Sequence, residues 1–278
     1  MDAPDDANDL RGFHFRRLLR KPATWIATGV AVIAAGVAGA VFLGAAIAGA
    51  AAAGVFLISL LIVFAIADSQ AEDDFFQTYA AQRGLALSGK GPLPPATPLL
   101  RKGDDRYAER SLAGPLAEGI DGALALYTYE DETTDSEGNR QTNYYRYTIG
   151  LVEVPECAAH LPELFCQRKF GLHSLEKLED AFRRSKRRVE LESEALDERY
   201  EIFADPGQDQ VWLRRFFSPT FVVWLGEEAP KKFAFELVGG TLCCYVNGHK
   251  ENAADLDTVR TASATVAKRL REESLETS

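Results

Sequence analysis

The sequence has no Cys-x-x-Cys pair, no His-x-x-x-His pair, no Gly-rich phosphate loop and no Gly-x-Ser-x-Gly element. Those absences remove the common zinc, redox, nucleotide and serine-hydrolase signatures. Four cysteines (Cys157, Cys166, Cys243, Cys244) are too few for a secreted disulfide framework and read as reduced, buried thiols. The four histidines (His14, His160, His173, His249) are scattered, and nothing nominates one as a general base. No cofactor, metal or catalytic residue is expected. The largest absence is charge. From Pro22 to Ala67, 46 consecutive residues include no Asp, Glu, Lys, Arg or His, while 26% of the whole chain is charged. That segregation excludes a wholly water-soluble protein.

As one helix, the uncharged run would be about 69 Å long at 1.5 Å per residue. A bilayer's hydrocarbon core is about 30 Å thick, so the run predicts two crossings. A division into Ala23–Leu43 and Ala51–Ala67, with a turn within Gly44–Ala50, uses nearly all of it. Small residues recur at every fourth position of the first helix (Ala23, Ala27, Ala31, Ala35, Gly39), a spacing that allows close helix approach. Only Thr24, Thr28, Ser59 and the Trp25 indole are polar inside the run. Transport pathways need ionisable groups at depth, so this pair reads as an anchor. Arg11, Arg16, Arg17, Arg20 and Lys21 flank the first span, and the turn has no Lys or Arg. The positive-inside rule then puts both termini in the cytoplasm, as a multi-pass protein of the cell membrane.

The chain after the membrane is acidic. The formal net charge is −10, and the 1–21 tail is slightly basic, so residues 68–278 carry the whole deficit. Nucleic acid is not an expected partner, because it needs a basic surface. Residues 68–84 read as an amphipathic helix carrying Phe75, Phe76, Tyr79 and Ala80. GKGPLPPATP (89–98) reads as a Pro-rich linker. The expected divisions are therefore a tail at 1–21, two spans at 22–67, a juxtamembrane helix and linker at 68–104, and a cytoplasmic domain at 105–278.

Within that domain, the alternating runs ALALYTYE (123–130) and YYRYTIGLVEV (144–154) predict a long hairpin. A short helix is expected after His173-Ser174, and a strand pair at 189–193 and 199–204. Two short helices should follow, the second opening at Ser218-Pro219. KKFAFELV-GG-TLCCYV predicts a tight hairpin. Residues 255–271 place Leu256, Val259, Val266 and Leu270 on one helical face. The class expected is α+β, with a largely antiparallel sheet behind a two-helix transmembrane hairpin.

Four features of this region carry a resemblance: Glu192-Ser193 at a strand end, the aromatic strand Tyr200–Phe203, Ser218-Pro219 leading a helix, and Gly239-Gly240 turning the last hairpin. Over about 60 residues the chain resembles uncharacterised bacterial membrane proteins with an N-terminal transmembrane hairpin and a cytoplasmic domain of unknown function. The resemblance implies membrane attachment and supplies no activity.

Three local features invite chemistry. Pairing outward from Gly239-Gly240 sets Glu236 opposite Cys243 and Phe235 opposite Cys244, so the two thiols point to opposite faces. Cys244 then lies in the core, and Cys243 points away from it beside Glu236 and Tyr245. The loop with Glu130, Asp131, Glu132, Asp135 and Glu137 lacks calcium-loop spacing and reads as a solvated tip. The run RRSKRR places Arg183, Arg184, Lys186, Arg187 and Arg188 together in an acidic chain. It reads either as a helix end and solvated loop or as a contact with anionic lipid. The function expected is a membrane-anchored module binding a partner protein, lipid headgroups or a small ligand. The alternative is an enzyme with an unrecognised site at 105–278.

Overall fold

The computed structural model describes residues 10, 15, 16, 18, 19, 22–43, 45–134, 138–169, 186–190 and 193–277. The helix expected after His173-Ser174 lies outside them, as do Asp135, Glu137, Arg183, Arg184 and Glu192. The chain divides into two compact units, 1–79 with 251–253, and 80–250 with 254–278.

The first unit holds α1 (Pro22–Leu43) and most of α2 (Ala45–Arg83). Pro22 sits where a missing N–H costs a helix nothing. Along α1, Ile26, Val30, Ile33, Val37 and Val41 are exposed, and on α2 so are Leu57, Leu61, Ile62 and Phe64. Among the described residues, one helix, Gly49–Arg83, is long and apolar enough to cross a membrane. Its 35 residues correspond to about 52 Å, well beyond a 30 Å hydrocarbon core. The amphipathic stretch at 68–83 is the continuation of this same helix, because residues 55–83 contain neither Gly nor Pro to break it. Val63, Ala67, Ala71, Phe75 and Tyr79 form a buried stripe at four-residue spacing. Gly84 ends the helix at φ 65°, and the Leu85 N–H returns to the Ala80 carbonyl at 2.9 Å. That is a Schellman stop, which needs a residue free to adopt positive φ.

The second unit is built on one sheet. Among the described residues it has nine strands, all antiparallel where paired, in the order β1-β2-β3-β4-β9-β8-β5-β7-β6. They are β1 (Ala86–Ser88), β2 (Asp105–Ala117), β3 (Ile120–Thr134), β4 (Arg140–Glu153), β5 (Glu163–Arg168), β6 (Arg187–Val189), β7 (Tyr200–Ala204), β8 (Ala234–Val238) and β9 (Thr241–Asn247). The helices are α3 (Glu194–Asp197), α4 (Gln210–Phe216), α5 (Pro219–Val223) and α6 (Ala253–Thr277). Ser218 caps α5 by accepting from the Phe221 N–H, with Pro219 in the first turn.

The β8–β9 register is the one the sequence predicts: Glu236 pairs with Cys243 and Phe235 with Cys244, across Gly239 (φ 57°) and Gly240 (φ 87°). Two successive positive φ angles match the strand twist, and glycine adopts them without steric cost. One face of the sheet packs against α6 through Leu256, Val259, Val266 and Leu270, all buried. The helix comes so close that a Cβ on Gly150 would overlap the Ser263 side chain. Phe216 of α4 meets Phe235 of β8 edge-to-face at 6.5 Å.

The other face corrects the sequence reading. Cys243 was expected to point out of the core, yet both Cys243 and Cys244 are fully buried. The second face carries its own apolar cluster of Leu99, Leu100, Ala125, Tyr127, Tyr129, Tyr147, Ile149, Ala234, Cys243 and Tyr245. Part of the stretch read as a linker supplies the cover: Thr97, Leu99, Leu100 and Lys102 are buried, and Leu99–Arg101 form a 3₁₀ turn. We call Thr97–Lys102 the strap. The strand expected at 189–193 also shifts, because Arg187–Val189 pair with Ile202–Ala204. The basic run therefore ends in a sheet edge and not in a loop.

Two outcomes follow for urea unfolding of the full chain in detergent micelles. Gly150→Ala loses about 1–3 kcal/mol, because α6 cannot retreat from β4 without opening the core. Cys243→Ala and Cys244→Ala each lose about 1–3 kcal/mol, since both thiols fill closed space. A neutral Gly150→Ala, or a silent Cys243→Ala beside a costly Cys244→Ala, contradicts the two-sided core.

Candidate functional site

The strongest chemical anomaly is Glu236, a carboxylate with no exposed surface in the middle of the sheet. Strand alternation forces it there: Phe233, Phe235 and Leu237 take the α6 face, which leaves Ala234 and Glu236 for the other. The Leu99 N–H donates to Glu236 Oε2 at 2.9 Å, and the Tyr127 hydroxyl donates to the Leu99 carbonyl at 3.1 Å. Both backbone polar groups of one strap residue are thus held by side chains of the sheet, as buried peptide groups require. Oε1 has no well-aligned donor, although the Thr97 and Tyr245 hydroxyls flank the carboxylate and the Lys102 charge acts on it.

Burial raises the Glu236 carboxyl above its ordinary 4.5, opposed by the Leu99 N–H, Thr97 and Lys102. Burial likewise lifts the Cys243 thiol well above 9.0, and the facing Glu236 lifts it further. The Tyr245 and Tyr127 hydroxyls also rise through burial. A thiol so placed is a poor nucleophile. With the strap in place, no solute reaches these groups, so the cluster acts as an anchor.

An open concave surface lies elsewhere. Residues 224–228 form a π-helical turn, closed by the Ala229 N–H on the Trp224 carbonyl at 2.8 Å. Such turns often occur at functional positions. Trp224 stacks on Phe221 at 5.3 Å and meets Phe233 edge-on at 6.0 Å. Between this turn and α6 runs a groove of about 980 Å³, lined by Phe221, Val223, Trp224, Thr265, Lys268 and Glu272 among others. At the end of α6, Glu273 is buried and receives Arg215 at 2.9 Å and Arg269 at 3.0 Å. Arg269 also donates to the carbonyls of Arg215 and Phe216, which ties α4 to α6 beside the groove.

Of the predicted basic site, Lys186, Arg187 and Arg188 are among the described residues. Lys186 forms an ion pair with Glu163, which neutralises its charge locally. Arg187 and Arg188 are exposed on β6. The two described histidines have different partners: His249 Nε2 lies 3.2 Å from the Tyr127 carbonyl, and the His160 carbonyl accepts from Gln208. Among the described residues no group of three His, Cys, Asp or Glu could hold a metal. The Glu236 cluster escaped the sequence reading, which took Glu236 only as a neighbour of Cys243. Its signal was the row Tyr127, Tyr129, Tyr147 and Tyr245, too many large rings on one face to be left to water.

The buried carboxylate fixes a pH dependence. A carboxyl whose pKa rises on folding holds its proton more tightly in the folded chain. Its contribution to stability is complete below about pH 4.5 and is lost as pH climbs through the raised value. Glu236→Gln cannot ionise and keeps an oxygen for the Leu99 N–H. Thermal unfolding from pH 4 to pH 8 should move steadily in favour of the variant, by about 1.4 kcal/mol for each unit of pKa elevation. A difference independent of pH contradicts the burial of an ionisable group.

Compared with family models, curated proteins and solved structures, the chain finds no match.

Proposed function

We propose that the chain is a membrane-anchored binding module. In this reading α1 and α2 cross the bilayer as a hairpin, both termini are cytoplasmic, and the α+β unit binds a partner protein, lipid headgroups or a small ligand at the inner surface. The observation that carries the reading is the exposed apolar surface of the two helices. Ile26, Ile33 and Val41 on α1, and Leu57 and Leu61 on α2, are at least 60% exposed, an arrangement that hydrocarbon satisfies and water does not. The 22 residues of α1 correspond to about 33 Å, close to the thickness of a hydrocarbon core. The basic flank from Arg11 to Lys21 supports a cytoplasmic N-terminus. Among the described residues, the groove beside Trp224 and the edge carrying Arg187 and Arg188 are two surfaces open to a partner.

Reporter fusions after Asp9 and after Ser278 test the topology, and both should report the cytoplasm. A periplasmic or extracellular signal from the C-terminal fusion overturns the hairpin. Lipid contact has a separate test with residues 80–278, which include the second compact unit. That fragment should bind anionic vesicles weakly and neutral vesicles not at all, and about 0.5 M salt should release it through screening. Each basic residue near an anionic surface contributes about 1 kcal/mol. Gln at Arg183, Arg184, Arg187 and Arg188 should therefore abolish binding, and Lys186→Gln should matter less because Glu163 already holds that ammonium. Unchanged binding by the four-Gln variant removes lipid from the list of partners.

A further inference from the structure

The strap is held at one residue by two side chains of the sheet. Leu99 gives its N–H to Glu236 and receives the Tyr127 hydroxyl on its carbonyl. Closing the strap takes Glu236 out of water, and opening it returns the carboxylate to solvent. We infer that the strap is a proton-coupled latch: it closes most firmly over a protonated Glu236 and loosens when that carboxylate ionises.

The surroundings set the sign. On the strap, Thr97 and Lys102 face Glu236, and Lys102 is the cation among them. From β9 come Cys243 and Tyr245, and from β3 comes Tyr127, whose hydroxyl also feels Arg106. Tyr147 of β4 and Cys166 of β5 act on Tyr245. The paired β5 residue is Phe165, which does not titrate. The net result is a carboxyl raised above 4.5: burial is the largest cause and outweighs the Leu99 N–H, Thr97, Lys102 and Tyr245, which all favour the charged form. The closed state therefore binds the proton more tightly than the open state, and rising pH favours opening. What opening uncovers is the face of Tyr127, Tyr129, Tyr147 and Tyr245 with a carboxylate in its floor.

Cys243 and Cys244 provide the readout, since they lie side by side on opposite faces and only Cys243 is under the strap. Global unfolding exposes both thiols, whereas strap opening exposes Cys243 alone. The full chain in lipid nanodiscs is labelled with a neutral maleimide at pH 5 to 8, and the two sites are quantified by mass spectrometry. Cys243 should label faster than Cys244 at every pH, and its rate, divided by that of an unfolded reference peptide at the same pH, should rise with pH, up to about tenfold for each unit of pKa elevation. Glu236→Gln should hold that normalised rate constant. Tyr127→Phe removes the second pin and should raise it by one factor at every pH, without changing its slope. Equal rates at Cys243 and Cys244, or a flat normalised Cys243 rate in the unsubstituted protein, overturn the latch, whether or not Glu236→Gln folds. So does the same slope in Glu236→Gln.

Discussion

A sheet with apolar side chains on both faces must be covered on both faces, and the rest of this fold answers that constraint. One face is met in an ordinary way by α4, α5 and the 25-residue α6. The other carries four tyrosines, Cys243 and Glu236, and its cover includes the strap. Such a short segment cannot bury enough apolar area to hold itself in place against the entropy of ordering it. The two bonds to Leu99 supply the missing attachment. A buried carboxylate is an expensive anchor for a backbone N–H, and its position explains why the strap follows an otherwise irregular Pro-rich path.

The same constraint bears on where the second unit begins. A start at Asp105 would leave the second face bare, because Thr97, Leu99 and Leu100 lie upstream of it. β1 also precedes that point and pairs with β2 through Ala86–Ser88. Below Arg83 the chain is already part of the sheet's edge and cover. Arg83 itself forms a bidentate ion pair with Asp257 of α6, a geometry that arginine alone among the cations provides.

What the sequence made legible is what local rules decide. The Gly239-Gly240 register follows from turn geometry, and the buried stripe of α6 follows from helical period. The uncharged run follows from solvation alone. The fused helix was missed because the change from uncharged to charged residues at Ala67-Asp68 was taken for a structural break, whereas only Gly or Pro would make one. The strap was missed for a different reason: its contacts join residues distant in sequence, 28 positions for Leu99 and Tyr127 and 137 for Leu99 and Glu236, and no periodicity encodes them. Glu236 and Cys243 were assigned the correct face and the wrong environment, because alternation reports direction and says nothing of what lies beyond. The groove beside Trp224 depends on a π turn, for which the sequence holds no simple signal.

A sheet sealed on one side by a short, carboxylate-held segment has its least stable cover at a defined place. Native-state hydrogen exchange of the full chain in lipid nanodiscs measures that cover directly at the Leu99 and Leu100 amides. The account predicts that the Leu99 amide, bonded to Glu236, is protected far above an unstructured linker and yet exchanges faster than β3 and β4 amides such as Tyr127 and Ile149. Exchange of Leu99 at the rate of a free chain would contradict it, because the second face of the sheet would then have no strap.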